Sequence, residues 1–150
     1  MKLVLVASSG GHFSTMNNLK PFWSVHERVW VTDLKSDTAK LRDRCERVFW
    51  LPYQGSRELL PFLRNLPATF RILAQAQPDL VISTGPSIAV NFAIASRVFG
   101  IRFIYIESIS RQQDLSLAGK LIYPICDEFY VQWPELCTKY PKAKFEGYST

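Results

Sequence analysis

An open, doubly wound parallel α/β sheet is the fold this sequence predicts, on three observations. Runs such as residues 3–7 and 80–82 are continuously aliphatic rather than alternating, as in strands covered on both faces. Strand-like runs alternate with helical segments from end to end, with no repeat and no linker. Three of the strands stop in short turns carrying glycine, hydroxyl or carboxylate groups, at the carboxyl ends where open α/β sheets bind ligands.

In chain order, residues 2–7 form the first strand, which ends in Ser8-Ser9-Gly10-Gly11-His12. Residues 15–22 can form a short helix, and residues 28–32 a second strand. Residues 36–44 are polar with helical spacing, and residues 47–51 are a third strand stopped by Pro52. Residues 57–76 are the longest helical segment, with Ser56 as N-cap and Glu58 in the first turn. Pro61 suits the start of that helix, whereas Pro67 falls inside it and should kink or split it. Residues 78–83 are the fourth strand, residues 84–87 a turn, and residues 88–99 a helix closed by Gly100. Residues 102–106 (strand), 115–123 (helix) and 128–131 (sixth strand) follow, and the stretch after Trp133 is weakly patterned.

The 150 residues suit a single domain, residues 1–150, and are too few for a complete two-domain enzyme. With 47% hydrophobic and 21% charged residues the chain can fill a core, which excludes a disordered or low-complexity protein. A net charge of +5 favours anionic partners such as nucleic acid, phosphorylated metabolites or an acidic membrane surface. Cys45, Cys126 and Cys137 are too few and too scattered for a disulfide framework or a zinc site, and read as reduced thiols. No signal peptide and no apolar run of about 20 residues is visible, so membrane contact would be peripheral.

Each of the three strand ends has a chemical and a purely structural reading. In Ser8–His12, glycines allow close backbone approach and helix-start N–H groups attract anions, so a phosphate-bearing ligand fits; a tight strand–helix turn explains the same residues. The pattern is neither G-x-G-x-x-G nor a P-loop, which argues against a dinucleotide. His12 can act as a base or as a cap. Ser83-Thr84-Gly85-Pro86-Ser87 reads as a second ligand loop or a hydroxyl-capped turn. Glu107, directly after an apolar strand, can contact ligand or tie loops together.

Taken in order, residues 3–12, 78–86 (Pro-Asp-Leu-Val-Ile-Ser-Thr-Gly-Pro) and 103–108 (Phe-Ile-Tyr-Ile-Glu-Ser) resemble the amino-terminal, Rossmann-like half of GT-B glycosyltransferases that use lipid-linked acceptors. More narrowly, they resemble the membrane-associated subunit of split transferases: the anchoring subunit of the dolichol-pathway UDP-GlcNAc transferase and the PssD/CpsF-type proteins of bacterial polysaccharide synthesis. The resemblance runs over residues 1–147. It implies a domain that binds a polyprenyl-diphosphate-linked sugar acceptor and recruits a nucleotide-sugar-binding partner subunit, with no cofactor and no metal. It implies Ser9, Gly10, Gly11, Gly85 and Ser108 at the acceptor diphosphate, and His12 and Glu107 as catalytic groups. The expected location is the cytoplasmic face of a membrane, held peripherally. Unlike the eukaryotic subunit, the sequence starts directly at the first strand.

For an anionic membrane surface the best segment is residues 57–76. Arg57, Arg64 and Arg71 recur every seven residues on one helical stripe, beside Leu60, Phe62, Leu63 and Phe70. An ordinary sheet-packing helix with solvated arginines is the competing reading. A stand-alone nucleotide or phosphometabolite binding module is the alternative function. Nucleic acid is not expected as a partner, because no recognition motif accompanies the charge.

Overall fold

The computed structural model describes residues 1–147. Seven strands form one all-parallel sheet: β1 (Lys2–Ala7), β2 (Glu27–Thr32), β3 (Val48–Trp50), β4 (Leu80–Gly85), β5 (Arg102–Ile106), β6 (Glu128–Tyr130) and β7 (Ala143–Lys144), in the order β3-β2-β1-β4-β5-β6-β7. The helices are α1 (Gly11–Asn18), α2 (Lys20–Trp23), α3 (Lys40–Asp43), α4 (Leu59–Ala76), α5 (Ile88–Phe99), α6 (Leu117–Ile122) and α7 (Leu136–Lys139). The fold is the predicted Rossmann-like α/β sheet, with its topological switch between β1 and β4.

The aliphatic run of β1 explains the layering. Leu3, Leu5 and Ala7 point into a core with Phe13, Met16, Trp23, Trp30 and Leu41. Val4 and Val6 point into the opposite core with Val31, Val81, Ile72 of α4 and Phe92 of α5. All five of these β1 side chains are buried, so neither face can become polar without removing apolar area from a core. Cys45 is exposed while Cys126 is buried, and burial pushes the Cys126 thiol up to about 11. A thiol reagent at pH 8 should therefore modify Cys45 in the native protein and reach Cys126 only in denaturant, a difference that mass spectrometry reads directly.

Several boundaries differ from the expectation. The first helix begins at Gly11, not at residue 15, so the glycine turn is itself the helix start; it ends at Asn18, and Pro21 opens the separate turn α2. Only Lys40–Asp43 is helical in the 36–44 segment, because Thr38 Oγ1 bonds the Asp33 carbonyl (2.7 Å) and accepts from Lys35 N–H (2.9 Å), holding a turn instead. α4 starts at Leu59 behind Glu58; Ser56 does not cap it, and Arg57 precedes it with φ +67°. α4 runs unbroken through Pro67. That residue is exposed, so the Leu63 carbonyl left unbonded lies on the side facing water, and the helix need not split. α6 is shorter than expected, with Ser116 as its N-cap, and the weakly patterned tail supplies α7 and a seventh strand. Its last three residues lie outside the described residues.

Candidate functional site

At the switch point, β4 carries one extra residue relative to β1: Val6 pairs with Ser83 and Ala7 with Gly85, leaving Thr84 bulged between them. The bulge aims Thr84 at α1. Its hydroxyl donates to the His12 carbonyl (2.6 Å), and His12 Nδ1 lies 2.8 Å from the Thr84 carbonyl. A carbonyl only accepts, so Nδ1 carries a proton, and in the neutral ring Nε2 is the nitrogen with the lone pair. Gly85 sits at φ +87°, and a Cβ there would stand 2.9 Å from the Tyr105 hydroxyl, which makes glycine the residue that fits.

Tyr105 links this corner to Glu107. The buried phenol donates to Glu107 Oε1 (3.3 Å), and burial, reinforced by the Glu107 charge, holds its pKa well above the ordinary value, so it remains a donor. Glu107 is 1% exposed. It accepts from Ser108 N–H (3.0 Å), Ser116 N–H (2.9 Å) and the Ser116 hydroxyl (2.8 Å), which is how a buried carboxylate at a strand end is accommodated. These bonds tie β5 to the start of α6.

Above these groups opens a cavity of about 860 Å³. His12, Tyr105, Glu107 and Ser108 line its floor, Phe62, Val90 and Ile94 of α4 and α5 form one wall, and Leu117 and Leu121 of α6 form another. Leu59 of α4 and Leu117 and Leu121 of α6, which line the cavity, are exposed (67%, 41% and 52%), giving it an apolar rim, and Leu60 and Leu63 are exposed further along α4 (72% and 50%). The Tyr53–Glu58 loop at that mouth is anchored by a buried amide network. Gln54 Nε2 donates to Asn91 Oδ1 (2.9 Å) and the Ser87 hydroxyl (2.9 Å), Asn65 Nδ2 donates to Gln54 Oε1 (3.2 Å), and Asn91 Nδ2 donates to the Phe62 carbonyl (3.0 Å).

The structure thus brings His12, Glu107 and Ser108 to one cavity, with Gly85 buried next to it. Ser9, Gly10 and Gly11 sit beside the cavity rather than in its lining. Asp33 accepts from both the amide (2.7 Å) and the hydroxyl (2.8 Å) of Ser9, and Asp37 accepts from the Gly10 amide (2.7 Å). Of the residues expected at a membrane, Leu60, Leu63, Arg64 and Arg71 are exposed on α4. Arg57 is exposed but lies off the helix, so the three-arginine stripe reduces to two on α4. Phe62 and Phe70 are half-buried: Phe62 faces the cavity, and Phe70 packs edge-on against Phe99 at 5.5 Å.

Sequence reasoning missed Gly119, Ser116, Asp33, Asp37 and the Gln54–Asn65–Asn91 network. Asp33 directly follows β2 and met the strand-end criterion. Gly119 carried a signal too, as an isolated glycine within a helical run. The three amides carried none, since each partner is 11 or more residues away.

The switch-point cavity on an all-parallel sheet defines the class of protein: a Rossmann-like α/β domain. Acinetobacter baumannii MurG has a superimposable domain (TM-score 0.72, 16% identity, 89% of this chain and 42% of that one). So does the UDP-GlcNAc 2-epimerase of Neisseria meningitidis bound to UDP-GlcNAc (TM-score 0.76, 12% identity, 99% of this chain and 47% of that one). Residues 57–149 match the family described as "Oligosaccharide biosynthesis protein Alg14 like", and the chain belongs to that family. It is similar to the "UDP-N-acetylglucosamine transferase subunit ALG14" of Yarrowia lipolytica (29% identity over 146 residues; 93% of this chain, 64% of that protein). The protein so named in Rattus norvegicus is 38% identical over 112 residues (71% of this chain, 50% of that protein). The chain spans less than two-thirds of the length of these relatives.

Proposed function

We propose that the chain is the acceptor-binding subunit of a two-component GT-B glycosyltransferase, which holds a polyprenyl-diphosphate-linked sugar while a partner subunit holds the nucleotide sugar. The observation that carries the reading is the cavity: a hydrogen-bonding floor at the switch point continues into an apolar wall and an exposed leucine rim. A ligand with a polar head and an isoprenoid tail matches both parts. Family membership, and the naming of the relatives as subunits of a UDP-N-acetylglucosamine transferase, support the partner and a UDP-sugar donor.

In this reading the acceptor hydroxyl attacks the anomeric carbon of the donor and the nucleoside diphosphate leaves. The hydroxyl proton passes to His12 Nε2, the ring nitrogen that the Thr84 clamp leaves with a lone pair. Stabilisation of the leaving diphosphate falls to the partner. Glu107, whose near donors are groups of this chain, acts as a positioning carboxylate that holds α6 and Tyr105 around the acceptor. The Ser9–Gly11 turn and Gly85 shape the edge of the site, and Ser108 offers its hydroxyl to the acceptor.

The test is reconstitution. Purified alone, the chain should give no transfer from UDP-GlcNAc to a polyprenyl-diphosphate-linked GlcNAc, and adding the nucleotide-sugar-binding subunit should restore it. Full turnover by the chain alone would overturn the subunit reading, and tight binding of free UDP without a partner would favour a soluble nucleotide module.

No helix among the described residues is long and apolar enough to cross a membrane. The exposed leucines and the two arginines of α4 suit peripheral attachment to an anionic surface, which we place on the cytoplasmic side. In vesicle flotation with phosphatidylglycerol, Arg64→Gln with Arg71→Gln should weaken binding by roughly 1 kcal/mol per arginine, or about fivefold each, at low salt. Leu60→Ser with Leu63→Ser should weaken it at all salt concentrations. Unchanged flotation of both pairs would assign α4 to packing alone.

A further inference from the structure

Two guanidinium groups line the cavity without a partner. Among the described residues, neither the Arg57 nor the Arg111 side chain has an ion-pair or hydrogen-bond partner, although both are cavity-lining. The acidic groups lining the same space are engaged elsewhere. Glu107 is occupied by Ser108 and Ser116 donors. Asp114 holds Lys120 (2.9 Å) and Lys139 (3.3 Å) and accepts from the Tyr140 hydroxyl. Glu58 folds back to accept from the Gly55 amide (3.2 Å). Lys120 is ion-paired with Asp114, so Arg57 and Arg111 are the two basic side chains of the cavity lining with no carboxylate in ion-pair range among the described residues, while Glu58 and Glu107 are held by neutral donors.

Two further observations bear on where an anion would go. The glycine turn, the obvious alternative, already has the amides of Ser9 and Gly10 bonded to Asp33 and Asp37. An incoming anion there must displace a carboxylate or approach a pair of them. Arg57, by contrast, is held at φ +67°, a backbone region that non-glycine residues seldom occupy, in a loop fixed by the buried Gln54–Asn65–Asn91 network. Arg111 closes the Ser108–Arg111 turn, its amide donating to the Ser108 carbonyl (3.1 Å), and its charge reaches the Tyr105 phenol on the cavity floor.

We infer that Arg57 and Arg111 form a diphosphate clamp at the cavity mouth, taking the acceptor's diphosphate in place of the glycine turn, with the first isoprene units against Phe62, Leu117 and Leu121. The inference rests on the acceptor reading above and adds the groups that bind the charge. Guanidinium forks suit it, because each can present two parallel N–H donors to phosphate oxygens, and neither has a carboxylate in ion-pair range among the described residues.

Isothermal titration of the full chain with farnesyl diphosphate tests it, with farnesol and inorganic pyrophosphate as parallel titrants. Arg57→Gln and Arg111→Gln should each weaken farnesyl diphosphate binding about tenfold, and the double variant about a hundredfold, as expected for one charge-assisted contact each. Farnesol binding should stay as in the wild type, which also shows that the variants are folded. Pyrophosphate should bind the wild type more weakly than farnesyl diphosphate and lose its binding in the double variant. If both arginine variants bind farnesyl diphosphate like the wild type while Ser9→Ala or Asp37→Asn alters it, the clamp is wrong and the glycine turn holds the diphosphate. A wild-type protein that binds no farnesyl diphosphate overturns the acceptor reading itself. One that binds pyrophosphate equally well, with loss in the double variant, keeps the clamp and replaces the lipid by a soluble diphosphate.

Discussion

Replacing His12 by alanine should lower transfer by the reconstituted pair by about 10²- to 10⁴-fold, the range for loss of a positioned general base. The argument is one of geometry. Nδ1 is committed to the Thr84 carbonyl, so the ring cannot flip without losing a bond on a half-buried side chain, and Nε2 is the nitrogen left for a ligand in the cavity that His12 lines. A base and a mere cap predict different data. If His12 is the base, His12→Asn, whose amide nitrogen stands where Nδ1 does, preserves the contact to Thr84 but supplies no basic nitrogen, so assembly with the partner and acceptor binding survive while turnover collapses. If His12 only caps the turn, His12→Asn retains most activity. Thr84→Val separates positioning from chemistry. It removes the hydroxyl bond to the His12 carbonyl and leaves the Thr84 carbonyl in place, so it should lower kcat far less than His12→Ala.

How much of this was legible in the sequence depends on the range of the interaction. The parallel sheet follows from local pattern, and α5 with its Gly100 terminus and β5 match residue for residue, whereas β4 runs on through Gly85 where a turn was expected. Helix starts near glycine and proline were misplaced because backbone conformation there is set by partners distant in sequence. Asp37 engages Gly10 across 27 residues, and Thr38 bonds back to Asp33 to hold the turn before α3. The strand-end rule found His12, Gly85, Glu107 and Ser108, since topology alone brings those positions together. It could not show that Ser9 and Gly10 already have carboxylate partners, nor that Arg57 leaves its helix in a left-handed conformation. Those are outcomes of packing around the switch point, where the bulged Thr84 breaks the register that periodicity assumes.

The second large effect is expected at a residue with no chemistry. Gly119 lies in α6, where alanine would ordinarily stabilise a helix by up to about 1 kcal/mol. Here a Cβ would stand 2.2 Å from Glu107 Oε2 and 3.2 Å from the Ser116 hydroxyl. The carboxylate cannot retreat, because it is buried and held by Ser108 and Ser116 donors, so either those bonds or the helix must move. Overpacking and the loss of charge-assisted bonds together outweigh the propensity gain, and Gly119→Ala should destabilise the fold by about 2–4 kcal/mol. For a chain of this size that corresponds to a Tm lower by roughly 5–15 °C. A thermodynamic cycle identifies the cause. With Glu107→Ala the obstructing carboxylate is gone, so adding Gly119→Ala to that variant should cost little or add the small propensity gain, a coupling of at least about 2 kcal/mol between the two sites. Additive costs, or a stabilising Gly119→Ala in the wild-type background, would show that α6 tolerates the methyl group and that Glu107 does not fix its start. If the coupling is found, the same contact governs the site. Leu117 and Leu121 are carried by α6, so the bond between a strand-end carboxylate and a helix cap sets the width of the apolar wall against which an isoprenoid would lie.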